Sequence, residues 1–183
     1  MESQKPKEVM KKICLLGDPA VGKTSLIRKF VYDRFDDKYI TSIGTKVSTK
    51  DMYLKNAWPD GRDVHMVLLI WDILGQREHA TLHAVFYRGA EGALIVGDTT
   101  RMDTMRSLDH WAGNFRAVVG SAPVVFLGNK SDLPIAEDFD DGVVASLKEK
   151  YSTEFIFTSA KTGENVERAF SMIAEKLLAS MLL

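Results

Sequence analysis

The chain has 183 residues, enough for one well-buried domain and too few to require two. Its 24 basic and 25 acidic residues leave a net charge of −1, which argues against the broad basic surface that a nucleic-acid partner requires. The single cysteine, Cys14, excludes a disulfide within the chain and fits a reducing compartment. No apolar run reaches the ~18 residues that indicate a transmembrane segment, so we expect none.

The predicted elements begin after residues 1–10, which carry lysines without a hydrophobic stretch and are expected to form a flexible N-terminal extension. Short apolar runs that do not alternate follow, as is typical of buried parallel strands. These runs are Ile13–Leu16, Val64–Trp71, Ala93–Val96, Val124–Leu127 and Phe155–Phe157. Apolar stripes at helical spacing run from Leu108 to Val118 and from Val166 to Met181.

One segment departs from this alternation. Lys46–Leu54 is followed by a turn signal at Asp60-Gly61 and then by the run from Val64, which predicts an antiparallel pair at a sheet edge. The sequence therefore predicts an α/β fold with a mostly parallel six-stranded sheet, one antiparallel edge strand and helices on both faces.

The octet from Gly17 to Thr24 fits GxxxxGK(S/T) and lies between the first strand and a helix. Such a phosphate-binding loop, or P-loop, directs main-chain N–H groups and the helix dipole at a β-phosphate. We expect Lys23 to reach the β- and γ-oxygens and Thr24 to ligate Mg²⁺. The motif predicts a P-loop NTPase fold as a single domain over residues 1–183, with these nucleotide-binding residues: Gly17, Ala20, Val21, Gly22, Lys23, Thr24 and Ser25.

A second motif, from Trp71 to Gln76, ends the strand that starts at Val64. An aspartate at that position, here Asp72, is placed to hold Mg²⁺ beside the P-loop. We expect the Gly75 N–H to bind the γ-phosphate and Gln76 to orient the attacking water. The predicted catalytic residues are therefore Gln76, Lys23 and Gly75.

Two motifs follow the last two strands: Gly128-Asn129-Lys130-Ser131-Asp132 and Thr158-Ser159-Ala160-Lys161. The Asp132 carboxylate can accept from N1–H and from the exocyclic amine of guanine, a donor pair that adenine lacks. Together with the P-loop and the Asp72 motif, they resemble the small GTPases of the Ras superfamily, with the closest likeness to the Rab branch. The resemblance extends from about Lys12 to the final helix.

The resemblance implies roles for the residues around the base. Asn129 would join the P-loop to the base loop, Lys130 would pack along the ring, and the Ala160 N–H would read O6, between Ser159 and Lys161. Phe35 would cover the other face of the base, although a core phenylalanine is the alternative. Ser42 stands where relatives carry the threonine that ligates Mg²⁺, and Thr41 is the alternative ligand. The predicted metal ligands are thus Thr24, Ser42 and Asp72.

The function that the resemblance implies is a GTP-hydrolysing molecular switch in signalling or membrane trafficking. Effectors would read switch segments at residues 36–46 and 73–88, and exchange factors and activating proteins would regulate them. Slow turnover is expected unaided, because no internal arginine finger is evident. Pro19 in the P-loop and Ile73-Leu74 beside Gly75 leave open a nucleotide-binding scaffold with little hydrolysis. A P-loop ATPase or kinase is a third alternative, against which Asp132 argues.

We expect a cytoplasmic monomer. The sequence has no cysteine near residue 183 for prenylation, so it does not decide whether the protein also lies peripherally on a membrane.

Overall fold

The computed structural model describes residues 5–34, 45–73, 75 and 80–183. Within them are six strands: β1 (Lys7–Leu16), β2 (Lys46–Leu54), β3 (Val64–Asp72), β4 (Gly92–Asp98), β5 (Val124–Asn129) and β6 (Phe155–Thr158). The six helices in the same ranges are α1 (Lys23–Tyr32), α2 (Ala80–Tyr87), α3 (Met102–Arg106), α4 (Leu108–Val119), α5 (Asp141–Tyr151) and α6 (Val166–Met181). Among these helices none has the length and apolar composition needed to cross a bilayer.

The strands form one sheet in the order β2-β3-β1-β4-β5-β6. Only β2 runs antiparallel to its neighbour, and every other described pair is parallel. The predicted α/β fold with one antiparallel edge strand is confirmed. Because β1 lies between β3 and β4, the strand order reverses there, and α/β folds bind their ligands in a crevice at the carboxyl ends of the strands at such a point. The predicted functional motifs follow the carboxyl ends of β1, β3, β5 and β6.

Two apolar cores lie on opposite faces of the sheet. Side chains of α1 and α6 pack on one face, where Phe30 and Phe170 stack with ring centroids 3.9 Å apart. Side chains of α2, α3, α4 and α5 pack on the other face around Trp111 and Phe115. The predicted apolar stripes thus cover the sheet, except that their last members, Val118 and Met181, are exposed.

The first strand is longer than predicted. Lys7–Met10, which the sequence analysis assigned to a flexible extension, pairs in parallel register with β3 from Val64 onward. The pattern missed these residues because they alternate between exposed and half-buried positions instead of forming an apolar run. Hydrogen bonding to β3 orders them, and the prediction of an extension over residues 1–10 is wrong from Lys7 onward.

The third strand also differs from the prediction of a strand covered on both faces. Alternate residues from Val64 to Asp72 are buried, and those between them are half-buried. The turn that joins it to β2 lies where predicted, with Gly61 at φ 82° and its N–H bonded to the Trp58 carbonyl. Asp72 is the last residue of β3, so the strand itself places this carboxylate at the crevice.

Candidate functional site

The P-loop leaves β1 and enters α1 through two glycines that no other residue can replace without displacing a neighbour. A Cβ on Gly17 would lie 2.1 Å from the Val96 carbonyl oxygen, and one on Gly22 would lie 2.2 Å from Asn129 Nδ2. Both glycines also have positive φ, 143° and 104°. The loop is therefore pressed against β4 and β5, which fixes its path between β1 and α1.

Lys23 folds back over this loop. Its ammonium group donates to the carbonyl oxygens of Gly17 at 2.9 Å and of Asp18 at 3.0 Å, and the side chain is buried. Burial lowers the pKa of Lys23 to about 8, while Asp72 and Asp18 oppose that change. A buried ammonium group held this way is positioned for an anion in the loop.

Thr24 and Asp72 bring two hard oxygen donors together at the start of α1. The Thr24 hydroxyl donates to Asp72 Oδ2. Burial raises the pKa of Asp72 above its ordinary value, although the Thr24 hydroxyl and Lys23 act in the opposite direction. A hydroxyl and a carboxylate are ligands that Mg²⁺ accepts, so this pair fits the metal. Ser42 and Thr41, the alternatives for a third ligand, lie outside the described residues.

Gly75 packs directly on the P-loop. A Cβ at this position would lie 2.6 Å from both the Asp18 carbonyl carbon and the Pro19 nitrogen. Only a glycine allows the segment after β3 to approach the loop so closely. Gln76 and Phe35, the predicted catalytic glutamine and base-covering ring, lie outside the described residues.

Asn129 joins three segments of the site. Its Nδ2 donates to the Val21 carbonyl at 2.9 Å, and its Oδ1 accepts from the Ala160 N–H and the Thr158 hydroxyl, each at 3.2 Å. The P-loop and the two base motifs are thus held together by one buried side chain. The Ala160 N–H, which the resemblance assigned to guanine O6, is directed at Asn129 in this structure.

The carboxylate of Asp132 is exposed at the mouth of the site. The Ser159 hydroxyl donates to its Oδ1 at 2.6 Å, which fixes the orientation of the carboxylate. Lys130 has a positive φ of 68°, and its ammonium group lies 2.6 Å from Asp98 Oδ2. Ser25 is half-buried in the first turn of α1, and Lys161 is exposed beside Ala160.

Three residues of this region were missed by the sequence analysis. Asp98 ends β4 with no exposed surface and pairs with both Lys130 and Arg101. Arg101 Nη2 donates to the Pro19 carbonyl at 2.9 Å. Trp111 donates its indole N–H to Asp18 Oδ1 at 2.9 Å. A charged residue at the end of the apolar run Ala93–Val96 was the available signal for Asp98.

Comparison with known proteins agrees with this geometry. The sequence model of the Ras family matches residues 12–179. Ras-related protein Rab-1D of Dictyostelium discoideum is 35% identical over 167 residues, which cover 91% of this chain and 78% of the relative. Rab7 of Drosophila melanogaster is 34% identical over 177 residues, 94% of this chain and 82% of the relative. Human Rab-27B is 30% identical over 177 residues, 93% of this chain and 80% of the relative. The chain therefore belongs to the Ras family of small GTPases, on its Rab branch.

Proposed function

We propose that this GTPase is a molecular switch that binds GTP and GDP with Mg²⁺ and slowly hydrolyses GTP to GDP and phosphate. Effector proteins would read segments 36–46 and 73–88, in signalling or membrane trafficking, from a single G domain over residues 1–183. The observation that carries the proposal is the Asn129 side chain, which bonds to the P-loop at Val21 and to the base loop at Ala160. One ligand can therefore occupy both parts at once.

The phosphate end of the site follows from the direction of its peptide groups. Five main-chain carbonyls of the P-loop accept hydrogen bonds within the protein. Lys23 donates to those of Gly17 and Asp18. The other three accept from Arg101 (Pro19), Asn129 (Val21) and the Leu26 N–H (Gly22). In a trans peptide the N–H that follows a carbonyl points the opposite way, so the N–H groups of Ala20, Gly22 and Lys23 point away from the donors bound to the preceding carbonyls. Pro19, which follows Asp18, has no N–H. This geometry supports binding of the β-phosphate by Gly17 to Ser25, with Lys23 adding a positive charge.

Mg²⁺ held by Thr24 and Asp72 would offset the charge of the β- and γ-phosphates. Ser42 is proposed as a further ligand. Gly75 already touches the P-loop, which supports a contact of its N–H with the γ-phosphate. Gln76 is proposed to orient the attacking water, and a partner protein would supply an arginine.

Guanine selection is assigned to Asp132. Its carboxylate is held by Ser159, so it can accept two hydrogen bonds from guanine without first being ordered. We propose that Lys130 and Phe35 pack on the base, and that Ala160 and Lys161 border its O6. A bound base would cover Asp132, and a site that then leaves this carboxylate unmatched by the wrong base can discriminate by about 10⁴-fold.

The experiment begins with identification of the nucleotide that co-purifies with the protein. Phosphate release from GTP is then followed for the wild type and for Gln76→Ala, and GTP and ATP affinities are compared for Asp132→Ala. Asp138→Ala is the matched control, because Asp138 is an exposed carboxylate whose partner is Arg106, at 3.5 Å.

The expected result is bound GDP or GTP, slow hydrolysis that Gln76→Ala reduces, and loss of guanine preference in Asp132→Ala alone. Bound adenine nucleotide would contradict the guanine assignment. Guanine binding without phosphate release would favour the alternative function, a nucleotide-binding scaffold. An exchange factor, an activating protein and effectors are the expected partners. The monomeric state and the cytoplasmic or peripheral membrane location stay predictions.

A further inference from the structure

Arg101 connects the P-loop to a buried carboxylate. It lies between β4 and α3, where Nη2 donates to the Pro19 carbonyl at 2.9 Å and Nε donates to Asp98 Oδ2 at 3.1 Å. We propose that Arg101 is a positioning residue for the nucleotide phosphates, which acts by holding the Pro19–Ala20 peptide in the orientation that points the Ala20 N–H into the phosphate cradle. This inference rests on the proposed nucleotide-binding function.

The argument starts from Pro19, which has no N–H and therefore contributes no donor to the cradle. The next donor along the loop is the Ala20 N–H. Because the peptide between the two residues is planar and trans, that N–H points opposite to the Pro19 carbonyl. A guanidinium bound to the carbonyl on the outside therefore sets the direction of the N–H on the inside.

Without the hydrogen bond from Arg101, rotation of the Pro19–Ala20 peptide would relieve strain in the backbone. Ala20 has a φ of 62°, in the left-handed region that costs a non-glycine residue about 1 to 2 kcal/mol. Pro19 and Ala20 are both exposed, so little packing holds them. Within the part of the chain that the structure describes, the hydrogen bond from Arg101 to the Pro19 carbonyl opposes rotation of the peptide.

Arg101 is itself fixed by Asp98. That carboxylate has no exposed surface and also accepts from the Thr100 N–H at 2.9 Å and the Thr100 hydroxyl at 2.7 Å. Although burial acts in the opposite direction, Lys130 and Thr100 hold the pKa of Asp98 below its ordinary value, so it stays ionised at neutral pH. A guanidinium bonded at both Nε and Nη2 has little freedom to leave the loop.

Asp98 also links the two ends of the nucleotide site. Its Oδ2 pairs with Lys130 at 2.6 Å and with Arg101 at 3.1 Å. The base-loop lysine and the P-loop arginine thus share one buried carboxylate. Loss of Arg101 should therefore affect the phosphate end, because Lys130 keeps its partner.

The test compares Arg101→Ala with wild-type protein, after the wild type has been shown to bind GDP. We expect GDP and GTP to dissociate about 10-fold faster from the variant, the effect of losing one charge-assisted hydrogen bond. Affinity for GMP, which lacks a β-phosphate, should stay unchanged when measured by competition. Arg106→Ala is the control, because Arg106 is the last residue of α3, the short helix that follows Arg101, and its partner is exposed Asp138 at 3.5 Å.

Two further measurements separate this role from its alternatives. Arg101→Lys should give an intermediate dissociation rate, because one ammonium group cannot keep the fork geometry toward Asp98 and Pro19 together. Single-turnover hydrolysis of bound GTP should change less than about two-fold, whereas a loss of about 10³-fold would instead identify Arg101 as an arginine finger in cis. Equal losses of GDP and GMP affinity would overturn the proposal in favour of general destabilisation. A wild type that binds no GDP would contradict the proposed function itself.

Discussion

The indole N–H of Trp111 donates to Asp18 Oδ1 at 2.9 Å and so joins α4 to the P-loop. Both side chains are buried, although they lie 93 residues apart in the sequence. A carboxylate within a loop that binds phosphates repels the anion unless donors hold it and disperse its charge. The same indole ring lies 5.3 Å from His83 on α2, which follows the Asp72 motif. Trp111 thus contacts both the P-loop and α2, the helix within the proposed switch segment 73–88.

Trp111→Phe removes one donor from the buried Asp18 carboxylate while keeping an aromatic ring. We expect the free energy of unfolding to fall by about 1 to 3 kcal/mol and GDP to dissociate faster. Urea unfolding and release of fluorescent GDP measure the two effects. Trp58→Phe, at the half-buried turn between β2 and β3, is the control and should leave GDP release unchanged. Equal GDP release from both variants would contradict a role for the Trp111–Asp18 bond.

Replacement of Ala20 by glycine is expected to raise the free energy of unfolding, unlike Trp111→Phe. The left-handed φ of 62° at Ala20 costs a residue with a Cβ about 1 to 2 kcal/mol, and replacement by glycine removes that cost. The greater conformational freedom of glycine in the unfolded chain offsets about half of the stability gained in this way. Ala20→Gly should therefore raise the free energy of unfolding by roughly 0.5 to 1 kcal/mol. The control is Ala112→Gly in the buried interior of α4, which should lower it by about 1 kcal/mol or more. Destabilisation by Ala20→Gly would show that the backbone at this position is not strained.

Local patterns in the sequence were enough to predict the sheet, its antiparallel edge and the order of the site motifs. The P-loop glycines and Asp72 could be placed because each follows a recognisable strand. Lys7–Met10 were missed because pairing with β3, and not an apolar run, makes them a strand. Patterns of adjacent residues therefore failed where the sheet leaves one face partly open to solvent.

The supporting contacts of the site could not be predicted, for a different physical reason. Arg101 reaches Pro19 across 82 residues, and the Ser159 hydroxyl reaches Asp132 across 27. Such pairs depend on which loops the sheet order brings to its carboxyl edge, and no periodicity encodes them. The location of the motifs at the ends of strands was therefore predictable from the sequence, but the contacts that hold them in position were not.

His65 predicts a pH dependence of stability at the end of the sheet remote from the P-loop. Its Nδ1 lies 2.6 Å from Glu8 Oε2, its Nε2 lies 2.8 Å from Asp51 Oδ1, and its ring stacks on Tyr53. The Asp51 and Glu8 carboxylates raise the pKa of His65 above its ordinary value, because two acceptors favour the doubly protonated ring. The stabilisation is therefore complete below about pH 6.5 and is lost as pH rises through the folded-state pKa.

We expect urea unfolding between about pH 5.5 and 7.5 to show a decrease in stability with rising pH that His65→Gln abolishes. An NMR titration of the His65 ring should give a pKa above about 6.5. His110→Gln is the control, because His110 is exposed and its ring nitrogen contacts Asn114 instead of a carboxylate. A His65 pKa at or below the ordinary value would contradict the prediction.

Lys46 stands directly opposite Asp72 in the antiparallel register of β2 and β3, so both side chains are on the same face with Cβ atoms about 5 Å apart. A cation there would compete for the Asp72 carboxylate with the Mg²⁺ that we propose it binds. Lys46→Ala should therefore lower, by roughly 3-fold, the Mg²⁺ concentration that half-suppresses GDP release. The control is Lys50→Ala, four residues along β2 and about 13 Å further from Asp72 on the same face. Equal Mg²⁺ midpoints for the two variants would mean that the Lys46 charge does not reach the metal site, whereas a shift in Lys46→Ala alone identifies this lysine as the residue that weakens Mg²⁺ binding.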